Sequence, residues 1–99
     1  MSVYKLSVTK EALQDFEDSA TYYEKQLQGL GFDFEQEIAS ILEDIELNPY
    51  LFPAKLGAIR EAVVIKFPFV INYLVDANKV VVINIFHTKQ NPQKKAKRK

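Results

Sequence analysis

Apolar and polar residues alternate over Val3-Tyr4-Lys5-Leu6-Ser7-Val8, a period of two rich in β-formers that predicts a strand. Thr9 follows at the position of a helix N-cap, where its hydroxyl can accept from a backbone N–H of the first turn, and Glu11 stands where the macrodipole favours an anion. The period then lengthens. Leu13, Phe16, Ala20, Tyr23 and Leu27 recur three and four apart, which places them on one stripe of a long amphipathic helix. Gly29-Leu30-Gly31 interrupts the pattern; Phe34, Ile38, Ile41 and Ile45, broadened by Leu42, resume it until Asn48-Pro49 ends the second helix. Two long helices meeting at a pair of glycines predict an antiparallel αα-hairpin.

Residues 50–57, with Pro53 and Gly57, read as a loop. Beyond it the helical period disappears, and three strands are predicted near Ile59–Lys66, Phe69–Val75 and Lys79–His87, with Asp76-Ala77-Asn78-Lys79 as a hairpin turn. A two-residue Ala77-Asn78 loop sets Val75 opposite Val80, Tyr73 opposite Val82, Ile71 opposite Asn84 and Phe69 opposite Phe86. The other face then carries Val70, Asn72, Leu74, Val81, Ile83, Ile85 and His87. Both faces are mostly apolar, whereas an antiparallel sheet in a small monomer usually keeps one face wet. Two helices cover only one of them. Either a second copy or a partner segment completes the other face, or the sheet curls enough to bury itself.

Ninety-nine residues, 47% of them hydrophobic, are enough for one globular domain. Residues 1–88 are read as that domain, and residues 89–99, with six positive charges, as a basic, flexible tail. No run of about 18 apolar residues and no signal-peptide core is present, so no membrane association and a cytoplasmic location are expected. The absence of cysteine removes thiolate chemistry. A single histidine leaves no usual metal-ligand cluster, and there is no phosphate-binding glycine loop, so neither metal nor cofactor is expected. The formal charge of zero is a cancellation: residues 1–10 carry +2, residues 11–46 carry −10 and the remainder +8. The helical carboxylates are scattered over polar positions, as on a solvated face.

Candidate chemistry therefore lies in the basic half. Arg60 and Lys66, six residues apart, share a face of a regular strand with Ala62 and Val64 between them. His87 ends the last strand and Lys89 follows it. Strand ends that converge with Arg60 or Lys66 would form a positive patch containing one imidazole, suited to holding a phosphodiester and exchanging a proton with it. Tyr73 is a candidate proton donor or stacking platform, though its place opposite Val82 is also that of a core residue.

Read together, Tyr22-Tyr23-Glu24, Gly29-Leu30-Gly31 with Phe34 and Glu37, Asn48-Pro49 with Pro53, Ile59-Arg60, Lys66-Phe67-Pro68-Phe69 with Ile71 and Tyr73, and Val82 to His87 with Pro92 resemble the RelE/ParE superfamily of bacterial type II toxins. The resemblance spans residues 4–92. It implies an α+β fold, with an N-terminal strand and an antiparallel two-helix hairpin packed on a small curved antiparallel sheet. It also implies a cognate antitoxin that wraps and blocks the protein, and assembly as a homodimer or as a hetero-oligomer with that antitoxin. Two mechanisms occur in the superfamily: RelE-like members cut messenger RNA on the ribosome without a metal, and ParE-like members poison DNA gyrase without that catalytic set. Carried over by position, Arg60 matches a recurrent arginine, Lys66 stands where arginine is usual, and His87 with Lys89 matches the H-x-[RK] end of the last strand. His87, Arg60 and Lys66 are then the catalytic candidates, and Arg60, Lys66 and Lys89 the phosphate or nucleic-acid binders. Lysine does not reproduce a bidentate guanidinium clamp, and Phe69 replaces a common tyrosine. The expectation is ribosome-dependent messenger RNA cleavage, with gyrase inhibition or an inactive, degenerate toxin as alternatives.

Overall fold

Thr9 begins the first helix as its position predicts: in the computed structural model, which describes residues 3–89, its Oγ1 accepts the Ala12 N–H at 3.1 Å. The elements run β1 (Lys5–Val8), α1 (Lys10–Gln26), α2 (Leu30–Leu47), β2 (Ala54–Leu56), β3 (Ile59–Val63), β4 (Phe69–Asp76) and β5 (Lys79–His87). They form one five-stranded sheet in the order β1-β5-β4-β3-β2, with β1 parallel to β5 and the other pairs antiparallel. The α+β architecture, with its N-terminal strand, helical hairpin and mostly antiparallel sheet, is the expected one. The basic tail lies, apart from Lys89, outside the described residues.

The buried stripe of α1 is Ala12, Phe16, Ala20 and Tyr23; Leu13 and Leu27, assigned to it from spacing, are exposed. Small side chains occur on this stripe because the hairpin is tight. Gly31, in the first turn of α2, packs so close to α1 that a Cβ would lie 2.6 Å from the Ala20 carbonyl oxygen. Gly29 caps α2 at φ 91° and has no side chain to satisfy the first N–H groups. Glu24 of α1 supplies the acceptor, its carboxylate taking the Gly29 N–H at 3.0 Å and the Gly31 N–H at 3.0 Å. An anion at a helix N-terminus is also favoured by the macrodipole. On the α2 stripe Phe34, Ile38, Ile41 and Ile45 are buried as predicted. Phe34 is the hub of an aromatic cluster, with ring centroids 6.0 Å from Phe16, 5.4 Å from Tyr23, 5.3 Å from Phe67 and 5.0 Å from Phe69.

Three expectations for the sheet require correction. Residues 50–57 are not wholly loop, because Ala54–Leu56 pairs with β3 as a short edge strand. The predicted strand Ile59–Lys66 stops at Val63: the chain bends around Pro68, and Lys66 lies off the strand. The β4–β5 register holds only at the turn end. Val75 opposes Val80 and Tyr73 opposes Val82, but a bulge at Ile83 then sets Asn72 opposite Asn84, Ile71 opposite Ile85 and Phe69 opposite His87. One extra residue reverses the side-chain alternation beyond it. Ile85 and His87 consequently join Phe69 on the face covered by the helices, while Asn84 and Phe86 move to the open face.

The bulge is held from outside the β4–β5 ladder. β1 pairs with β5 from Lys79 to Val82 and stops. From there the start of α1 takes over the strand's free edge, with the Thr9 hydroxyl donating to the Ile83 carbonyl at 2.9 Å and Asp15 accepting the Ile85 N–H at 3.2 Å. Side chains thus satisfy backbone groups that an edge would leave to solvent or to another chain.

Gly31→Ala is expected to destabilise the fold by about 1–3 kcal/mol, because the added methyl meets a helix carbonyl that cannot move without parting the hairpin. Urea denaturation checks this, and an unchanged midpoint would contradict the close approach.

Candidate functional site

The fold distributes the predicted site residues over three places. Arg60 belongs to the covered face of β3, in line with Ala62 and Val64 as expected, and its cross-strand neighbour is Tyr73. Its guanidinium donates to the Phe52 carbonyl at 2.6 Å and lies 4.8 Å from the centre of the Tyr50 ring. Tyr73 is fully buried, and its hydroxyl donates to the Pro49 carbonyl at 2.6 Å. Burial pushes the Tyr73 phenol above its ordinary 10.0, while the Arg60 charge and the Phe52 backbone pull the other way. This group fastens the loop after α2 to the sheet, and the Tyr73 ring has no exposed face on which a ligand could stack.

Lys66 is exposed on the bend after β3. It borders a hollow shared with Asp33, Gln36 and Glu37 of α2, so its surroundings are carboxylates rather than other cations.

His87 and Lys89 form the third place, and they are together: the Lys89 backbone N–H donates to His87 Nδ1 at 3.1 Å. The imidazole packs against Phe69, centroids 4.9 Å apart. Both residues line a pocket of about 370 Å³ whose other wall is α1, with Asp18, Ser19, Tyr22 and Tyr23. Tyr23 also contacts Phe67 at 4.9 Å, so the aromatic cluster forms the floor. Burial, followed by the neighbouring Tyr22, raises the Tyr23 phenol above its ordinary value.

Arg60 and His87 therefore do not meet. Arg60 pairs with Tyr73 and His87 with Phe69, positions four residues apart on β4 and on its opposite sides. At the usual strand rise and spacing this separates them by about 13 Å along the sheet and about 10 Å across it. Asp18, Ser19, Tyr22 and Tyr23 were not singled out as site residues from the sequence. Their signal was the spacing of Asp18 and Tyr22, i and i+4 on the helix flank beside the apolar stripe, but nothing showed which strand that flank would face.

A separate feature is the uncovered sheet face. Ile59, Glu61, Val70, Asn72, Asn84 and Phe86 border a groove of about 600 Å³ there. The Asn72 side-chain amide donates to the Asn84 side-chain oxygen at 2.7 Å in its centre, and Lys55 lies 4.0 Å from Glu61 at its edge. Val70 is buried, but Leu56 of β2 is 74% and Val63 of β3 56% exposed, so this end of the sheet retains exposed apolar surface.

The family model described as "ParE toxin of type II toxin-antitoxin system, parDE" matches residues 6–92. No curated protein sequence matches the chain. Among solved structures, a protein of the chromosomal ParDE toxin-antitoxin system from P. aeruginosa superposes with a TM-score of 0.79 at 14% identity, over 88% of this chain and 98% of that one. A conserved hypothetical protein from Helicobacter pylori superposes with a TM-score of 0.54 at 24% identity, over 83% of this chain and 91% of that one. At such identities the two structures establish likeness of fold.

Tyr73→Phe is expected to cost about 1–2 kcal/mol at neutral pH, since it leaves the buried Pro49 carbonyl without its donor. The folded phenol titrates above 10.0, so its contribution is complete below that pH and is lost as the pH rises through the folded value. Urea midpoints measured across the alkaline range should fall less steeply for Tyr73→Phe than for the parent protein. Equal slopes would contradict the burial of the phenol.

Proposed function

The chain belongs to the ParE toxin family of type II toxin-antitoxin systems, and we propose that it arrests growth in the cytoplasm by poisoning DNA gyrase rather than by cutting messenger RNA. The observation that carries this reading is the separation of Arg60 from His87. Cleavage of a phosphodiester through its neighbouring 2′-hydroxyl requires cationic groups and a proton-transfer group around one phosphate. In this fold the guanidinium is held against the Phe52 carbonyl and the Tyr50 ring, away from His87, and the Lys66 hollow is bordered by carboxylates. Only His87 and Lys89 remain adjacent. A protein that acts by binding gyrase needs no such convergence.

Membership of the family implies a cognate antitoxin, and we propose that it covers the open sheet face. Supporting this is the exposed apolar edge at Leu56 and Val63 around a groove whose polar centre, Asn72 with Asn84, is already internally paired. Burying such a surface removes apolar area from water, and the amide groups that the single Asn72–Asn84 bond leaves open are for the antitoxin to pair. The helical hairpin already covers the opposite face, which leaves the antitoxin one broad apolar surface.

Incubating the full chain with gyrase and supercoiled plasmid is expected to trap linear DNA, and cells induced for the protein should accumulate double-strand breaks. New codon-phased message ends on primer extension, with intact chromosomes, would overturn the gyrase reading. Val63→Asp, at a solvent-exposed position, should weaken the antitoxin complex at least tenfold in calorimetry. Unchanged affinity would place the antitoxin elsewhere.

A further inference from the structure

The pocket between α1 and the end of β5 combines groups to which the proposed function assigns no role. Much of its lining is aromatic, with Tyr22 and Tyr23 on the α1 side and Phe69 and the His87 imidazole on the sheet side. Opposite charges also border it, the Asp18 carboxylate and the Lys89 ammonium, and neither makes an ion pair among the described residues. Asp18 accepts one hydrogen bond, from Gln14 at 2.8 Å, which leaves most of its acceptor capacity open. Because His87 Nδ1 accepts the Lys89 N–H, the neutral ring carries its proton on Nε2 and can donate there. A volume of about 370 Å³ is at the lower end of pockets that hold one small organic molecule.

A ligand that satisfies all of these groups is flat, presents donors at one end and carries an anion at the other. We propose that the pocket binds a guanine nucleotide unit. The base lies against the tyrosine and imidazole rings, its N1–H and N2–H groups donate to Asp18, and the phosphate meets Lys89 and His87 Nε2–H. Stacking on aromatic side chains is the common way that proteins hold an unpaired base. The paired donors on one edge of guanine match the two oxygens of a carboxylate. Uracil and thymine offer a single ring N–H flanked by two carbonyl oxygens, which repel that carboxylate. The site does not rest on the choice of gyrase as target, because it is a property of the isolated chain.

Nuclear magnetic resonance titration of the isotope-labelled full chain tests this, with guanosine 5′-monophosphate, uridine 5′-monophosphate and inorganic phosphate as probes. The guanine nucleotide should give saturable shifts centred on Tyr22, His87 and Lys89, with an affinity about tenfold above that of the uridine nucleotide. Asp18→Asn should remove that preference and leave uridine binding as it was, whereas Lys89→Gln should weaken both nucleotides. Both positions are exposed, so the variants are expected to fold, and the unshifted remainder of the spectrum verifies it. A thymidine oligonucleotide containing one guanine separates two sources of the same ligand. Tighter binding than the free nucleotide assigns the pocket to a base within a strand, weaker binding to a free nucleotide, and either result supports the site. Equal affinity for guanine and uridine nucleotides, phosphate binding as tight as either, or no saturable shift would each overturn it.

Discussion

The hydrogen bond from the Thr9 hydroxyl to the Ile83 carbonyl decides which chemistry this sheet presents on which side. It couples three events: β1 ends, α1 begins and β5 bulges. The same oxygen accepts the Ala12 N–H, so the residue that starts the helix also anchors the strand irregularity. Beyond the bulge every side chain of β5 changes face. Without it, Ile85 would leave the core and His87 would lie among the open-face residues, away from Phe69, Tyr22 and Tyr23.

That sorting gives the molecule two unlike surfaces. On the covered side, polar groups are committed to architecture or gathered at one end: Arg60 and Tyr73 hold the loop after α2, Glu24 caps the neighbouring helix, and His87 with Lys89 lines a pocket against α1. On the open side the surface is apolar around a hydrogen-bonded pair of amides, Asn72 and Asn84. A toxin held inactive by a protein partner needs a broad apolar area for that partner and a separate place for any further contact. The fold provides both. The charge pattern follows the same division, with the acidic hairpin set against a basic second half, so a net charge of zero says nothing against an anionic partner.

Much of this was legible in the sequence because it depends on local periodicity. The α2 stripe, the Thr9 cap, the two-residue Ala77-Asn78 turn and the register next to it each follow from residues close in the chain. The bulge does not. Its cause is a threonine 74 residues away, and no alternation pattern within β5 distinguishes Ile83 from its neighbours. The short β2 was missed because Ala54–Leu56 carries no alternation of its own and is a strand only by pairing with β3. The role of Glu24 was equally nonlocal, although a glycine N-cap with no side-chain acceptor implies that some acceptor must come from elsewhere. For the candidate site, the adjacency of His87 and Lys89 was readable, but the extension of Arg60 and Lys66 toward them assumed a regular strand that the bend at Pro68 ends.

The face occupied by His87 is the point on which the account turns, and nuclear Overhauser contacts from its ring protons in the full chain test it most directly. Contacts to the Phe69 and Tyr23 rings, together with contacts from Phe86 to Val70, are the predicted result. Contacts from the His87 ring to Pro68 or Val70 would mean that β5 runs without the bulge, and would contradict the account.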